Sequence, residues 1–153
     1  MNLDQLGNLE SKLEVSFPSQ YRDLVISHPF PKSDSSDFEL CSNYELLLQE
    51  NRELRENGFF GREWNKSWFA IGFDGCGNEY FITTDPFDGR IYFADHEDEF
   101  HTEDLGKNVH YGSFQEYVDY LRELEEDTRR DELLMEERIK NRKWWQFWIP
   151  KQQ

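Results

Sequence analysis

A chain of 153 residues with 32 carboxylates against 17 cationic side chains carries a formal net charge of −15. That length is enough to bury the core of one domain, and so acidic a surface repels phosphate backbones and anionic membranes while steering basic proteins towards it. The charge is uneven: residues 1–118 hold 23 Asp and Glu against 9 Lys and Arg, whereas 119–153 hold 9 against 8, so the acidic field belongs to the body. Acidity also serves solubility alone.

Leu3, Leu6, Leu9 and Leu13 recur at helical spacing and predict a short amphipathic helix. Pro18 opens a second, with Tyr21, Leu24 and Val25 facing inward and His28-Pro29-Phe30-Pro31 ending it. Residues 32–38 have loop composition. Ser42-Asn-Tyr-Glu45 fits a capping box for a third helix, with Leu46, Leu47, Leu48 and Leu54 as apolar positions and Asn57-Gly58 as its close. Phe59, Phe60 and Trp64 make the next bridge too apolar for a linker, so it is expected to pack along a sheet.

Residues 68–93 read as three strands of an antiparallel meander. Phe69, Ile71 and Phe73 alternate on one face, Tyr80 and Ile82 oppose Phe81, and Ile91 and Phe93 alternate after Asp88-Gly89. Gly72, Gly75, Gly77 and Asn78 are read as structural turn residues, where positive φ excludes most side chains. Asp95 to Asp104 is expected to be a solvated acidic loop. A second capping box, Ser113-Phe-Gln-Glu116, opens a helix striped by Phe114, Tyr117, Val118, Leu121 and Leu124. The stripe lapses over 125–132 and resumes at Leu133, Leu134, Met135 and Ile139, which predicts a helix leaving the core, a Glu126–Arg130 pair and a break near Thr128. Trp144, Trp145, Phe147 and Trp148 crowd the last residues and require a covering surface: this chain's own body, a second copy or another protein, or a membrane interface.

These blocks carry a family resemblance. Ile71-Gly-Phe-Asp-Gly-Cys-Gly-Asn78, the aromatic strand after it and Gly89-Arg-Ile-Tyr-Phe-Ala-Asp-His-Glu97 resemble the central pattern of the SUKH superfamily. Leu9 to Leu13, Phe17-Pro18-Ser-Gln-Tyr21 to Leu24, and Tyr111-Gly-Ser-Phe-Gln-Glu-Tyr-Val118 resemble its flanking elements in the same order, over roughly residues 3–125. That superfamily contains fungal cell-wall-synthesis regulators and bacterial immunity proteins against polymorphic toxins. The resemblance implies a binding protein, not an enzyme: an immunity protein covering the active or substrate-binding face of a toxin domain, often a nuclease, with a regulatory or scaffold module as the second reading.

The other chemistries fare worse. His96 and His101 among the carboxylates of 95–104 lack a helical His-x-x-x-His spacing, Asp74 to Glu79 lacks a calcium-loop ladder, and no metal or cofactor is expected. Cys41 and Cys76 form no Cys-x-x-Cys pair, so neither a disulfide framework nor a zinc knuckle is indicated, and the acidic setting of Cys76 disfavours a thiolate. Gly75-Cys-Gly77 has no helix start or lysine for phosphate. The opening residues lack a basic and apolar leader and no apolar run spans a bilayer, so a cytoplasmic location is expected.

The reading is therefore α+β: an antiparallel meander packed with N- and C-terminal helices over 1–126, then a charged helical extension with an aromatic tail over 127–153. The expected partner is a basic toxin met by a rim of Asp85, Asp88, Asp95, Glu97, Asp98, Glu99, Glu103 and Asp104; Trp64 and Trp68 are read as core residues first and as aromatic anchors second. A homodimer through Trp144 to Trp148 is a further expectation, and no direct nucleic-acid contact is expected.

Overall fold

Leu6, Leu9 and Leu13 form the buried stripe of α1 (Leu3–Leu13) in the computed structural model of the chain. The structure describes residues 1–27, 39–97 and 100–146, and side chains as far as Arg142. Leu3 is exposed. The helix opens on a reciprocal cap, Asn2 Oδ1 accepting from Gln5 N at 2.9 Å while Gln5 Oε1 accepts from Asn2 N at 3.0 Å. Pro18 precedes α2 (Ser19–Ser27) and its carbonyl accepts the first helical bond, from Arg22 N at 3.1 Å. Glu10 ties the two helices, pairing with Arg22 and accepting from Phe17 N at 2.7 Å.

The cap of α3 (Tyr44–Asn57) is Asn43, not Ser42: Asn43 Oδ1 accepts from Glu45 N at 3.0 Å and Leu46 N at 3.2 Å. An asparagine carbonyl reaches the amides two and three residues on, which starts the helix one residue later than a Ser42 cap would. Leu46 is exposed, and Asn51 takes an inward position beside Leu47, Leu48 and Leu54. Gly58 closes the helix at φ 76°, where an added Cβ would lie 2.3 Å from the Arg62 carbonyl oxygen. The chain can turn back only because that position is bare. Phe59 and Arg62 then exchange backbone bonds of 2.8 and 3.0 Å across Phe60 (φ 45°) and Gly61 (φ 81°), a type I′ turn.

Four antiparallel strands follow in spatial order: β1 (Trp68–Phe73), β2 (Glu79–Thr83), β3 (Ile91–Ala94) and β4 (Val109–Tyr111). The meander and the α+β class agree with the sequence reading; the fourth strand, entered through a single 3₁₀ turn at Leu105–Asn108, was not anticipated. Gly72 is not a turn residue. It lies inside β1, where the register slips from Ala70 opposite Phe81 to Gly72 opposite Tyr80 and bulges Ile71.

Strand alternation divides the core into two layers. Phe69, Ile71, Tyr80, Ile82 and Ile91 pack against α1, α2, Leu47, Leu48 and the start of the last helix. Trp68, Ala70, Phe81, Tyr92 and Ala94 meet Leu54, Phe59, Trp64 and Phe100 on the opposite face. The acidic loop of 95–104 is thus not wholly solvated, because Phe100 anchors it in this second layer. The open edge of β1 is covered from α3 and the segment before it. Asn51 accepts from Ala70 N at 2.8 Å and donates to Ala70 O at 3.0 Å, Arg55 Nη2 donates to Trp68 O at 3.3 Å, and Cys41 N donates to Ile71 O at 2.8 Å. These bonds occupy backbone groups that would otherwise invite another strand.

The last helix, α4 (Phe114–Gln146), starts as its capping box predicts, Ser113 Oγ accepting from Glu116 N at 3.2 Å, although Glu116 reaches back one residue further, to Gly112 N at 2.8 Å. Phe114, Tyr117 and Leu121 are buried. No break occurs at Thr128. Its hydroxyl bonds to Leu124 O at 2.8 Å and the helix continues, and Arg130 pairs with Asp127 at 2.8 Å in place of Glu126. From Arg129 to Arg142 every side chain is exposed. The packing of the Trp144 to Trp148 tail lies outside the described residues.

Candidate functional site

The carboxylates expected to form one rim are placed by antiparallel pairing at two ends of the sheet. Trp68 opposes Thr83, so Asp85 and Asp88 lie at the end where β1 begins; Glu79 opposes Ala94, so Asp95 and Glu97 lie at the other. Between them runs β3, four residues and about 13 Å long. Asp88 also holds its own turn: it accepts from Arg90 N at 3.1 Å and from the Tyr92 hydroxyl. Burial, then the hydrogen bond to Asp88, pushes Tyr92 up to about 12. Glu103 belongs to the Asp85 end, sharing a shallow cleft with Glu63, Lys66 and an edge of Trp68. Asp95 accepts from Glu97 N at 2.8 Å; Glu97 and Asp104 are exposed. Asp98 and Glu99 lie outside the described residues.

Trp64 and Trp68 offer no aromatic face to a partner. Each is 3% exposed, and their rings meet edge to face at 5.4 Å within the second core layer. The strand pattern puts Trp68 on the face of Phe81, and that face is closed by loop aromatics.

The β1–β2 turn is organised by one carboxylate. Asp74 accepts from Cys76 N at 2.7 Å, Asn78 N at 3.2 Å and Asn78 Nδ2 at 2.6 Å. Partial burial opposes its ionisation, but these donors outweigh it and hold the carboxyl below the usual range. Gly75 and Gly77 have φ of 79° and 101°. Asn78 Oδ1 accepts from His96 N at 2.8 Å and lies 2.7 Å from His96 Nδ1, clasping the turn to the end of β3.

Beside that clasp is a residue the sequence reading passed over. Glu79 is only 5% exposed and its Oε2 has no hydrogen-bond partner among the described residues. Burial, then the nearby charges of Glu50 and Asp74, raises its pKa to about 9; Glu50 is itself raised by burial and by Glu53. Strand parity was the available signal, since Glu79 stands two residues before the buried Phe81 and shares its face.

Two further features bear on binding. Leu133, Leu134, Met135 and Ile139 are exposed on the far half of α4. Cys41 is buried and Cys76 is exposed. Among the described residues no helix is long and apolar enough to cross a membrane, and no group of three His, Cys, Asp or Glu is placed to hold a metal ion.

Residues 1–120 match the model of the SMI1 / KNR4 family (SUKH-1). Searches of curated proteins and of solved structures find no match.

Proposed function

Because the chain belongs to the SMI1 / KNR4 family (SUKH-1), we propose that it is an immunity protein: a non-catalytic, cytoplasmic binding module that neutralises a cognate toxin domain, most simply a nuclease. The observation that carries this reading is the charge asymmetry, 23 acidic against 9 basic residues over 1–118. A nuclease surface built to hold phosphates is basic, and carboxylates presented at the ends of a rigid sheet imitate the polyanion and are steered onto it. Asp85, Asp88 and Glu103 form one contact group and Asp95 and Glu97 the other. Stopped-flow association with a basic nuclease toxin domain as the candidate cognate partner tests the reading, since screening over about 8 Å at physiological salt should slow an electrostatically steered encounter. The expected result is an on-rate that falls steeply with salt and growth rescue on co-expression; a salt-independent on-rate would remove the acidic surface from the mechanism.

The exposed Leu133, Leu134, Met135 and Ile139 support a second reading, a regulatory or scaffold module that binds through α4 or pairs with a second copy there. Ending the chain after Leu124 separates the two. Retained neutralisation supports immunity through the body, and loss of partner binding or of dimer mass supports the scaffold.

A further inference from the structure

A cleft of about 320 Å³ opens between the C-terminal half of α3 and the β1–β2 turn, a size at the small end for ligand sites and suited to a single side chain. Its walls are Glu50 and Glu53 from α3, Phe60 from the type I′ turn, Gly77, and Glu79 from the first position of β2. Acidic residues on a surface are ordinary, but Glu79 is different: its buried carboxyl has an oxygen without a donor among the described residues, which costs the fold free energy, and a donor entering the cleft would relieve it. Phe60 is the second unusual member. It is 65% exposed and held at φ 45°, a conformation that a bulky side chain seldom takes, with its ring 5.0 Å from Phe59 and 5.1 Å from His96. The absence of a side chain at Gly77 leaves this wall open, since a Cβ there would lie 3.6 Å from the Phe60 ring.

We propose that this cleft receives one arginine side chain of a partner protein, its guanidinium hydrogen-bonded by Glu79 and paired with Glu50 and Glu53, its flat face against Phe60. The proposal rests on the protein-binding reading and names the group the partner must supply. Three carboxyl groups converging on one cleft favour a cation, and the described residues hold no triad spaced for a metal. An exposed ring beside carboxylates suits a planar guanidinium, which stacks and donates in one plane, better than a compact, strongly hydrated ammonium. The titratable groups facing Glu79 are Glu50 and Glu53 from α3 and Asp74 from the turn, with His96 behind Gly77. Near neutral pH Glu79 keeps its proton, so binding a cation expels it, and affinity should rise as pH rises from 7 towards 9.

The test is an amide-resolved NMR titration of the full chain with N-acetyl-arginine N-methylamide, using the citrulline and lysine counterparts as controls. Expected are saturable shifts at Phe60, Gly77 and Glu79, affinity that increases with pH, and binding about ten-fold weaker for neutral citrulline. Glu79→Gln should remove the pH dependence and weaken arginine by a similar factor, while Phe60→Ala weakens it by about three-fold with Glu79 intact. Shifts scattered over the acidic surface without saturation, an equal response to citrulline, or unchanged binding by both variants would overturn the proposal; tighter lysine binding would overturn the choice of guanidinium. The probe is free of any toxin, so failure of the immunity reading leaves this result unchanged, and a failed titration leaves that reading standing.

Discussion

The two faces of the sheet are closed by different means. Helices α1, α2 and the first turns of α4 lie over Phe69, Ile71, Ile82 and Ile91, a layer of aliphatic stripes with Tyr21 and Tyr117 set among them. Among the described residues no helix is laid across the opposite face: Phe59, Trp64 and Phe100, held by turns and loops, meet Trp68, Phe81 and Tyr92 ring against ring, with Leu54 from the end of α3. Large rings let a few loop residues cover what otherwise takes a helix. The covering segments also carry charge: His96 and Glu103 sit where loop meets solvent, and Glu79, at the start of β2, lies buried beside them. One face gives stability, and the other combines stability with a chemically varied surface.

The comparison breaks most sharply at Trp64. Trp64→Ala should destabilise by about 3–5 kcal/mol in denaturant melts, comparable to an aliphatic truncation such as Leu9→Ala on the helical side. A loss below about 1 kcal/mol would show the loop-built layer to be loosely packed. Asn51→Leu tests the seam between α3 and β1. It leaves Ala70 N and O without their side-chain partner and should cost about 2–3 kcal/mol, measured the same way.

Glu79 sharpens the contrast through pH. Its folded pKa, about 9, lies above the ordinary 4.5, so between those values the folded chain holds a proton that the unfolded chain has lost. Stability therefore falls as pH rises through that window, by at most about 1.4 kcal/mol per pH unit for this one group. Urea midpoints at pH 6 and 7 should differ more for the parent than for Glu79→Gln; parallel pH profiles for the two would contradict the buried, unpartnered carboxyl. The smallest effect concerns a cap. Asn43→Ala should cost about 1 kcal/mol and Ser42→Ala a few tenths at most, and the reverse order in thermal melts would restore Ser42 as the cap.

The helical face was the legible one, because the spacing of Leu6, Leu9 and Leu13 and of Phe114, Tyr117 and Leu121 states both the element and its buried side. Alternation in Trp68–Phe73 likewise assigned β1 and its faces. What covers the other face was legible in part: the apolar bridge carrying Phe59 and Trp64 was expected to pack along the sheet and does, and Trp64 and Trp68 are core rather than anchors for a partner, whereas Phe100 lies in an acidic run without a period. Three-residue β4 is too short for alternation to register, and Val109 and Tyr111 are only half-buried. The acidic residues were visible as composition, but their separation into two groups depends on strand register. Glu79 was hidden by expectation: a glutamate at the start of a strand reads as solvent-facing unless its parity with Phe81 is counted.

The uninterrupted course of α4 has a geometric consequence. A helix keeps a fixed phase, so the 18 residues from Arg129 to Gln146 form a rod of about 27 Å whose far end points in a direction determined by residue count alone. Inserting one residue into that shaft would swing everything beyond it by about 100°, whereas seven would restore nearly the same heading about 10 Å further out. The exposed Leu133, Leu134, Met135 and Ile139 are thus indexed to the sheet like teeth on a shaft, and whatever engages them meets the body at one angle and one distance.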